Sequence, residues 1–240
     1  MCYADRMRIG VVGVPGKMAS QVVALAGSEV VATASHSHTP DFAAADVWIE
    51  FATAEATMHT IRRAQGAARA LVIGTTGLSA ETIAAAHAAA TDIPIMIAAN
   101  TSLGMVVLSA ALKLATHALP DYACEIVELH HDHKRDAPSG TALGLAEIVK
   151  QARPGARIVT GREGSLGARA PNELGVLAVR GGGVVGEHTV YFFGEHERLE
   201  LTHRAQDRAL FAHGALVAAR WLGSQPAGFY PIEQCLNLSV

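Results

Sequence analysis

The sequence predicts an α/β protein in which a parallel β-sheet is followed by a second, α+β domain built on a mixed β-sheet. Three observations lead to this fold class. Short apolar runs alternate with helical patterns in the first part of the chain, as in parallel strands joined by helical crossovers. Residues 157–202 then become mainly β, with two glycine clusters. The length of 240 residues suffices for two domains.

The elements of the first domain follow from hydrophobic periodicity. Apolar runs predict strands at residues 7–13, 30–34, 47–51, 70–73 and 93–98. Apolar residues at helical spacing predict helices at 16–26, 55–65 and 80–90, and a final helix at 211–222. We therefore expect residues 1–101 and 213–240 to form one domain.

The pattern changes after residue 101. A helix is predicted at 103–119, a strand at 125–129 and a second helix at 141–151, before the β-rich stretch. We expect residues 102–212 to form the second domain. The uncharged stretch 93–112 is long enough to span a bilayer, but Pro94, Asn100 and Gly104 interrupt it, so a strand, a loop and a helix are predicted instead of a membrane segment.

Composition excludes several classes of function. Half of the residues are hydrophobic and 17% are charged, which indicates a globular chain. The net charge of −3 and the lack of a basic cluster argue against a nucleic-acid partner. Three distant cysteines without a CxxC motif argue against a disulfide framework, fit a reducing compartment and favour a cytoplasmic location.

A glycine-rich turn follows the first predicted strand. Gly13 and Gly16 belong to a G-x-x-G-x-x-G pattern that leads into a helix. Glycines in such a turn let backbone N–H groups approach a pyrophosphate at a helix N-terminus. The context predicts a Rossmann-like nucleotide-binding domain, although an ordinary tight turn of a flavodoxin-like domain remains an alternative.

The densest chemistry lies in residues 128–142, ELHHDHKRDAPSGTA. If its first part is extended, His130, Asp132 and Lys134 share one face, and His131 and His133 share the other. A lysine beside histidines can act as an acid, because neighbouring cations disfavour its charged form. The segment then opens a helix whose hydroxyl and N–H donors suit a carboxylate ligand.

Two other interpretations of this segment stay open. His131 and His133 have the spacing of a zinc-chelating pair, but no third ligand at fixed spacing is evident, so no metal is predicted. The segment is also compatible with a solvated polar loop before a capped helix.

The same segment resembles the signature E-x-H-H-x-x-K-x-D-x-P-S-G-T-A of the 4-hydroxy-tetrahydrodipicolinate reductase family. Residues 13–18, 74–77, 98–102, 185–189 and 201–203 resemble further family segments, in the same order. The resemblance implies a homotetrameric NAD(P)H-dependent enzyme of lysine and diaminopimelate biosynthesis. Its substrate would be a small dicarboxylate, the cyclic product of dihydrodipicolinate synthase, which is reduced with loss of water to tetrahydrodipicolinate.

The resemblance also implies roles for individual residues. His130 and Lys134 would be the catalytic pair. The substrate carboxylates would be held by His131, Lys134, Ser139, Gly140 and Thr141. The nucleotide loop would include Gly13, Gly16, Lys17 and Met18, and the nicotinamide side would include Gly74, Thr76 and Ala99.

Cofactor preference follows from the end of the second strand. NAD-preferring relatives of this fold place an acidic residue about twenty residues past the glycine motif. Counting from Gly16 reaches His36, and no Asp or Glu occurs in residues 30–40. Lys17 adds a positive charge nearby. We therefore expect a modest preference for NADPH, with NADH also accepted.

Two further functions remain possible at this point. One is an NAD(P)-dependent dehydrogenase acting on another amino-acid-like substrate, which the PSGTA segment disfavours. The other is a non-enzymatic NAD(P)H sensor, which would have no need of the His130–Lys134 pair.

Overall fold

The computed structural model describes residues 7–35 and 37–238, and the chain forms two units. The first comprises the residues up to Leu103 and those from Ala209 onwards. Its strands are β1 (Ile9–Val12), β2 (Val30–Ala34), β3 (Val47–Glu50), β4 (Ala70–Ile73), β5 (Pro94–Ile97) and β11 (Gly228–Phe229), and its helices are α1 (Lys17–Ala26), α2 (Ala54–Gly66), α3 (Ala80–Ala89) and α6 (Ala209–Leu222).

The first unit is a three-layer α/β sandwich. Its six strands are all parallel and lie in the order β11-β5-β4-β3-β1-β2. Helices α1 and α6 pack on one face through small side chains such as Ala19 and Ala215, and α2 and α3 cover the other face through residues such as Ile61 and Ala86. Both faces are therefore buried, which explains why the central strands are continuous apolar runs.

The five strands and the helices predicted for this unit are confirmed, with ends that differ by at most two residues. Strand β11 was not predicted, because a strand of two residues is too short to show hydrophobic periodicity. Trp48 is fully buried, and its ring stacks on Phe42 with centroids 4.0 Å apart.

The second unit spans Gly104–Arg208 and is an α+β layer. Its elements are α4 (Leu103–Ala118), β6 (Ala123–His130), α5 (Gly140–Ala152), β7 (Arg157–Val159), β8 (Glu173–Arg180), β9 (Gly186–Phe193) and β10 (Arg198–Ala205). The strand order is β10-β9-β6-β8-β7. Because β6 pairs parallel with β8 and antiparallel with β9, the sheet is mixed, as predicted.

Helices α4 and α5 cover one face of this sheet. Their side chains, among them Leu112 and Leu145, pack on Ile126, Val176 and Phe192 from the strands. The alternation along β6 points Glu128 to this same covered face, where a carboxylate needs partners. No helix within the described residues has the length and apolar character that a bilayer crossing requires.

Candidate functional site

The carboxyl ends of the first sheet place the predicted cofactor residues along one edge. Gly13 follows β1, Gly74 follows β4 and Ala99 lies just beyond β5. Gly13 has a φ of +107°, and a Cβ there would overlap the carbonyl of Phe51. A Cβ at Gly74 would likewise overlap the Phe51 ring. Glycine is therefore required at both positions by the close approach of neighbouring strand ends.

A cleft of about 670 Å³ opens beside the glycine turn. It lies where β1 is flanked by β2 and β3, the point at which strand order reverses and where doubly wound sheets bind ligands. Its polar lining includes Ser35, Ser37, Thr39, Thr53 and His59, and the described lining contains no Asp or Glu.

The structure places the remaining cofactor candidates as follows. Lys17 and Met18 are the first residues of α1, and Lys17 is exposed but not part of the cleft lining. Thr76 and Ala99 are exposed beyond β4 and β5. His36 lies outside the described residues.

These residues fit a dinucleotide. Gly16 caps α1 without a side-chain hydrogen bond, so the N–H groups of the first turn are not covered by a capping side chain. The turn that precedes them would be filled by a Cβ at Gly13 or Gly16. A helix N-terminus at a glycine turn is suited to a pyrophosphate.

The candidate catalytic segment begins where β6 ends. His130 is the last residue of the strand, and the chain then turns, with the Lys134 N–H donating to the His131 carbonyl at 3.1 Å. The predicted alternation of side chains from His130 to Lys134 is therefore wrong beyond His130. The turn is hydrogen-bonded to the loop between β8 and β9, because the His131 N–H donates to the carbonyl of Val184 at 2.8 Å.

Glu128 is the centre of this site. Its side chain is 0% exposed, and Nδ1 of His130 donates to Oε2 at 2.5 Å. Nη1 and Nη2 of Arg180 donate to Oε2 and Oε1, both at 2.8 Å, and the backbone N–H of Ser139 donates to Oε1 at 3.0 Å. Burial alone would raise the pKa of Glu128, but these donors together lower it.

Ser139 begins helix α5 and is itself buried. Its hydroxyl accepts from the Ala142 N–H at 3.1 Å and lies 3.2 Å from Nε2 of His188. Since its N–H is bound to Glu128, both of its donor groups are engaged within the protein. Ser139 thus supports the start of α5, and the direct contact with substrate that the family resemblance implies stays a prediction.

His188 is buried and faces the same network. Its ring lies 5.2 Å from that of His130, centroid to centroid, in an edge-on arrangement. Burial, and then the proximity of His130, lowers the pKa of His188 to about 4. A neutral ring can accept the Ser139 hydroxyl proton at Nε2.

Lys134, Gly140 and Thr141 lie close in sequence to this network. Nζ of Lys134 is 2.8 and 3.0 Å from the two carboxylate oxygens of Asp136, and this hydrogen bond is the main cause of the lowered pKa of Asp136. Gly140 and Thr141 lie in the first turn of α5, where backbone N–H groups point out of the N-terminal end of the helix. A substrate carboxylate that binds Lys134 must compete with Asp136.

His131 contacts a different cation. Its Nε2 lies 3.2 Å from Nη2 of Arg208. Partial burial, and then the Arg208 charge, lowers the pKa of His131. Because guanidinium only donates, Nε2 of His131 accepts and the ring proton resides on Nδ1.

His131 and His133 are the pair whose spacing suggested zinc chelation. The His131 and His133 ring centroids are 6.3 Å apart. Nowhere in residues 7–35 and 37–238 do three or more His, Cys, Asp or Glu side chains form a group that could hold a metal ion.

Sequence reasoning assigned no role to three residues of the site. Arg180 and His188 are more than forty positions from the segment that they contact, and the pairing of β6 with β8 and β9 brings them there. Glu128 was visible only as the first letter of the signature. A glutamate in an alternating strand, on the face that also carries Cys124 and Ile126, was the available signal.

Two family models match the chain. Residues 104–236 match the model described as Dihydrodipicolinate reductase, C-terminus, and residues 26–101 match Dihydrodipicolinate reductase, N-terminus. Together they match most of the chain, with residues from both units.

Curated relatives and solved structures agree. The chain is 42% identical over 253 residues to a 4-hydroxy-tetrahydrodipicolinate reductase of Campylobacter concisus, covering 97% of this chain and 99% of the relative. The corresponding reductase of Campylobacter curvus is 49% identical over 201 residues, covering 82% and 79%.

Among solved structures, the dipicolinate-bound dihydrodipicolinate reductase of Paenisporosarcina sp. has a TM-score of 0.76 at 22% identity, covering 95% of this chain and 98% of the other. The DAP dehydrogenase of C. glutamicum has a TM-score of 0.57 at 12% identity, covering 95% and 93%. These two structures show a common fold. With the sequence matches, they confirm the resemblance, and the chain belongs to the dihydrodipicolinate reductase family.

Proposed function

We propose that this protein catalyses the NAD(P)H-dependent reduction of 4-hydroxy-tetrahydrodipicolinate to tetrahydrodipicolinate, a step of lysine and diaminopimelate biosynthesis, with His130 and Lys134 as its catalytic residues. Family membership supports the reaction. The observation that carries the assignment of residues is the single stretch from β6 to α5. It holds an oriented histidine, a lysine and a helix start next to one another.

The protein's part of the reaction is to bind the dicarboxylate and move a proton. Lys134 donates a proton to the substrate, and His130 supports that transfer through Nε2, because its Nδ1 is engaged with Glu128. When bound, the nicotinamide cofactor supplies the hydride. The remaining residues orient the substrate and balance its negative charge.

The substrate carboxylates meet three kinds of donor in this proposal. His131 and Lys134 contribute side chains, and Gly140 and Thr141 contribute the first turn of α5, where the helix dipole favours an anion. Ser139 fixes the start of this helix and is the fifth residue proposed to contact the substrate.

The proposed cofactor is NADPH, with NADH used less efficiently. The cleft that would receive the adenosine has hydroxyl and imidazole groups and no carboxylate among its described residues. A carboxylate would repel a 2′-phosphate, and Lys17 at the start of α1 would attract it. The first unit is thus proposed as the dinucleotide-binding domain and the second as the substrate domain.

The second unit also supports self-association, and we propose a homotetramer. The sheet face opposite α4 and α5 carries Val179, Tyr191 and Phe193, of which Val179 is 48% and Phe193 39% exposed. Large apolar side chains that a sheet face leaves exposed favour burial against another copy of the chain. Light scattering should give the mass of four chains, and Phe193→Asp should reduce it.

The proposed location is the cytoplasm. Cys124 and Cys235 are free thiols, and burial, the largest cause at each, raises the pKa of the Cys124 thiol to about 12 and raises that of Cys235. Unpaired cysteines of this kind fit a reducing compartment.

A coupled assay tests the function. Dihydrodipicolinate synthase should generate the substrate in place while the cofactor absorbance at the nicotinamide band is followed. We expect NADPH oxidation that depends on both the synthase and this protein. Cofactor binding without turnover would point to a sensor, and turnover only with amino-acid substrates and the oxidised cofactor would point to another dehydrogenase.

A further inference from the structure

A buried carboxylate with four donors is unusual beside a catalytic segment. Oε1 of Glu128 accepts from Ser139 N and Arg180 Nη2, and Oε2 accepts from His130 Nδ1 and Arg180 Nη1. Each oxygen therefore has two donors, which is sufficient to keep the carboxylate ionised away from water. Removal of Arg180 would leave the buried carboxylate without its counter-charge, and removal of Glu128 would do the same to the guanidinium.

The contact with His130 determines which ring nitrogen carries the proton. A carboxylate oxygen can only accept, so Nδ1 of His130 must be protonated. In the neutral ring, Nε2 is then the nitrogen with the free lone pair. Nε2 lies over Gly186, where a Cβ would come within 3.0 Å of it, so the absence of a side chain at Gly186 leaves room around this nitrogen.

The contact with Arg180 reaches the loop that carries Lys134. Nη2 of Arg180 donates to Glu128 and also to the backbone carbonyl of Asp136 at 2.7 Å. The Asp136 carboxylate in turn holds Nζ of Lys134. One guanidinium thus connects the end of β6 to the lysine loop, and Glu128 holds that guanidinium through two parallel hydrogen bonds.

The contact with Ser139 reaches the helix that is proposed to bind the substrate. Its N–H is fixed by Glu128, and its hydroxyl caps α5 through Ala142. The same carboxylate therefore sets the positions of the histidine, the lysine loop and the start of α5.

We propose that Glu128 and Arg180 are a positioning pair that fixes the Nδ1–H tautomer of His130 and holds the lysine loop and the start of α5 in register for the reaction. This inference rests on the proposed catalytic role of His130. Neither residue needs to touch the substrate, and both act through the groups that do.

Glu128→Gln tests the pair in the full-length protein. The substitution keeps the size of the side chain but replaces one acceptor oxygen by a donor amide. We expect kcat to fall by roughly 10²-fold or more while KM changes little, as when a carboxylate that orients a catalytic histidine becomes an amide. In ¹⁵N-histidine NMR spectra, assigned with His130→Asn, the proton of His130 should move from Nδ1 to Nε2.

Glu125→Gln is the matched control. Glu125 lies on the same strand and, like Glu128, forms ion pairs with arginine. Its partners are Arg162 and Arg169, and within the described residues no hydrogen bond joins it to a histidine. The control should lose stability through its own ion pairs while keeping kcat and the His130 spectrum. An equal loss of kcat in both variants would show a merely structural effect and overturn the inference.

Arg180→Lys provides a second route if Glu128→Gln does not fold. It retains the charge but cannot form the two parallel bonds to Glu128, and we expect kcat to fall roughly tenfold. Unchanged kcat in Arg180→Lys, or an unchanged tautomer and kcat in Glu128→Gln, would refute the pair. Full turnover in His130→Asn would instead refute the proposed role of His130 itself, so the two failures are distinguishable.

Discussion

The hydroxyl oxygen of Ser139 lies 3.2 Å from Nε2 of His188, which joins the start of α5 to strand β9. The same hydroxyl accepts from the Ala142 N–H. Burial lowers the pKa of His188 to about 4, and the neutral ring that this favours can accept the hydroxyl proton at Nε2.

A first prediction concerns pH and stability. Because the folded-state pKa of His188 is depressed, its contribution to stability is present above the unfolded-state pKa of 6.5 and is lost as pH falls through about 4. We expect this histidine to account for a loss of about 2–3 kcal/mol in unfolding free energy between pH 7 and pH 4. Urea unfolding of His188→Gln should show a flatter pH dependence, and exposed His196→Gln should behave as wild type. A parallel pH dependence in His188→Gln would contradict this assignment.

A second prediction concerns the proposed proton donor, Lys134. Lys134→Ala should lower kcat by about 10²–10⁴-fold, the usual contribution of a general acid, while cofactor affinity stays nearly constant. Stopped-flow turnover and calorimetric titration with NADPH measure the two quantities. Lys150→Ala on α5, where the lysine pairs with Glu147, is the control and should retain activity. Full turnover by Lys134→Ala would remove the lysine from the mechanism.

A third prediction concerns the glycine turn. Gly13→Ala forces a φ of +107° on an L-residue and a Cβ into the Phe51 carbonyl, so we expect a loss of about 1–3 kcal/mol in stability. Dinucleotide affinity should fall by roughly an order of magnitude because the turn must shift. Gly66→Ala is the matched control, since a Cβ there meets open space at the end of α2, and it should bind NADPH as wild type does. Equal affinities in the two variants would count against the proposed pyrophosphate site.

A fourth prediction concerns a buried acid near the cofactor cleft. Burial is the main cause of the raised pKa of Glu50, and Oε1 of this residue accepts from Thr57 Oγ1 at 2.9 Å. A raised folded-state pKa means that the associated stability is present below the unfolded-state pKa and is lost as pH rises through the folded-state value. Glu50→Gln should therefore increase the unfolding free energy at neutral pH, with little change under acidic conditions.

The control for Glu50 is Glu55, whose pKa is shifted in the opposite direction. Glu55 is exposed in the first turn of α2, and hydrogen bonds from its own backbone N–H and then from Thr53 lower its pKa. Glu55→Gln should lose stability at neutral pH, where Glu50→Gln gains it. Chemical denaturation of both variants at neutral and acidic pH compares them directly, and a destabilised Glu50→Gln at neutral pH would rule out the buried-acid effect.

A fifth prediction concerns cofactor choice. The ratio of kcat/KM for NADPH to that for NADH should exceed one, and Lys17→Ala should reduce it toward one because a cation near a 2′-phosphate is lost. Measurements at one ionic strength are needed because the effect is screened by salt. Lys150→Ala carries the same charge change elsewhere and should leave the ratio unchanged. A clear preference for NADH in the wild type would reverse the proposal.

The local patterns predicted most of the fold. Strands such as Val30–Ala34 and Ala70–Ile73 were read with their correct ends, because buried parallel strands are short apolar runs between turns. The short strand β11 was not predicted, since Gly228 and Phe229 form a strand only by pairing with β5. Register of that kind depends on a partner distant in sequence.

The site was predicted where its residues are local and missed where they are not. The segment from His130 to Thr141 could be recognised as one motif, whereas the positions of Arg180 and His188 depend on strand pairing. The expected alternation failed after His130, because a turn bonded to Val184 replaces the strand there. The sequence of a strand alone does not show that contact with a distant loop ends it.

The tether from Arg180 to the lysine loop ends on the carbonyl oxygen of Asp136, an atom that every amino acid possesses. The anchor is therefore independent of the side chains of the loop, and Asp132, His133 and Arg135 can be varied while the path of the backbone is retained. A combinatorial library at these three positions, with Glu128, Lys134, Asp136 and Arg180 kept, offers a way to redesign substrate selectivity without rebuilding the scaffold beneath it.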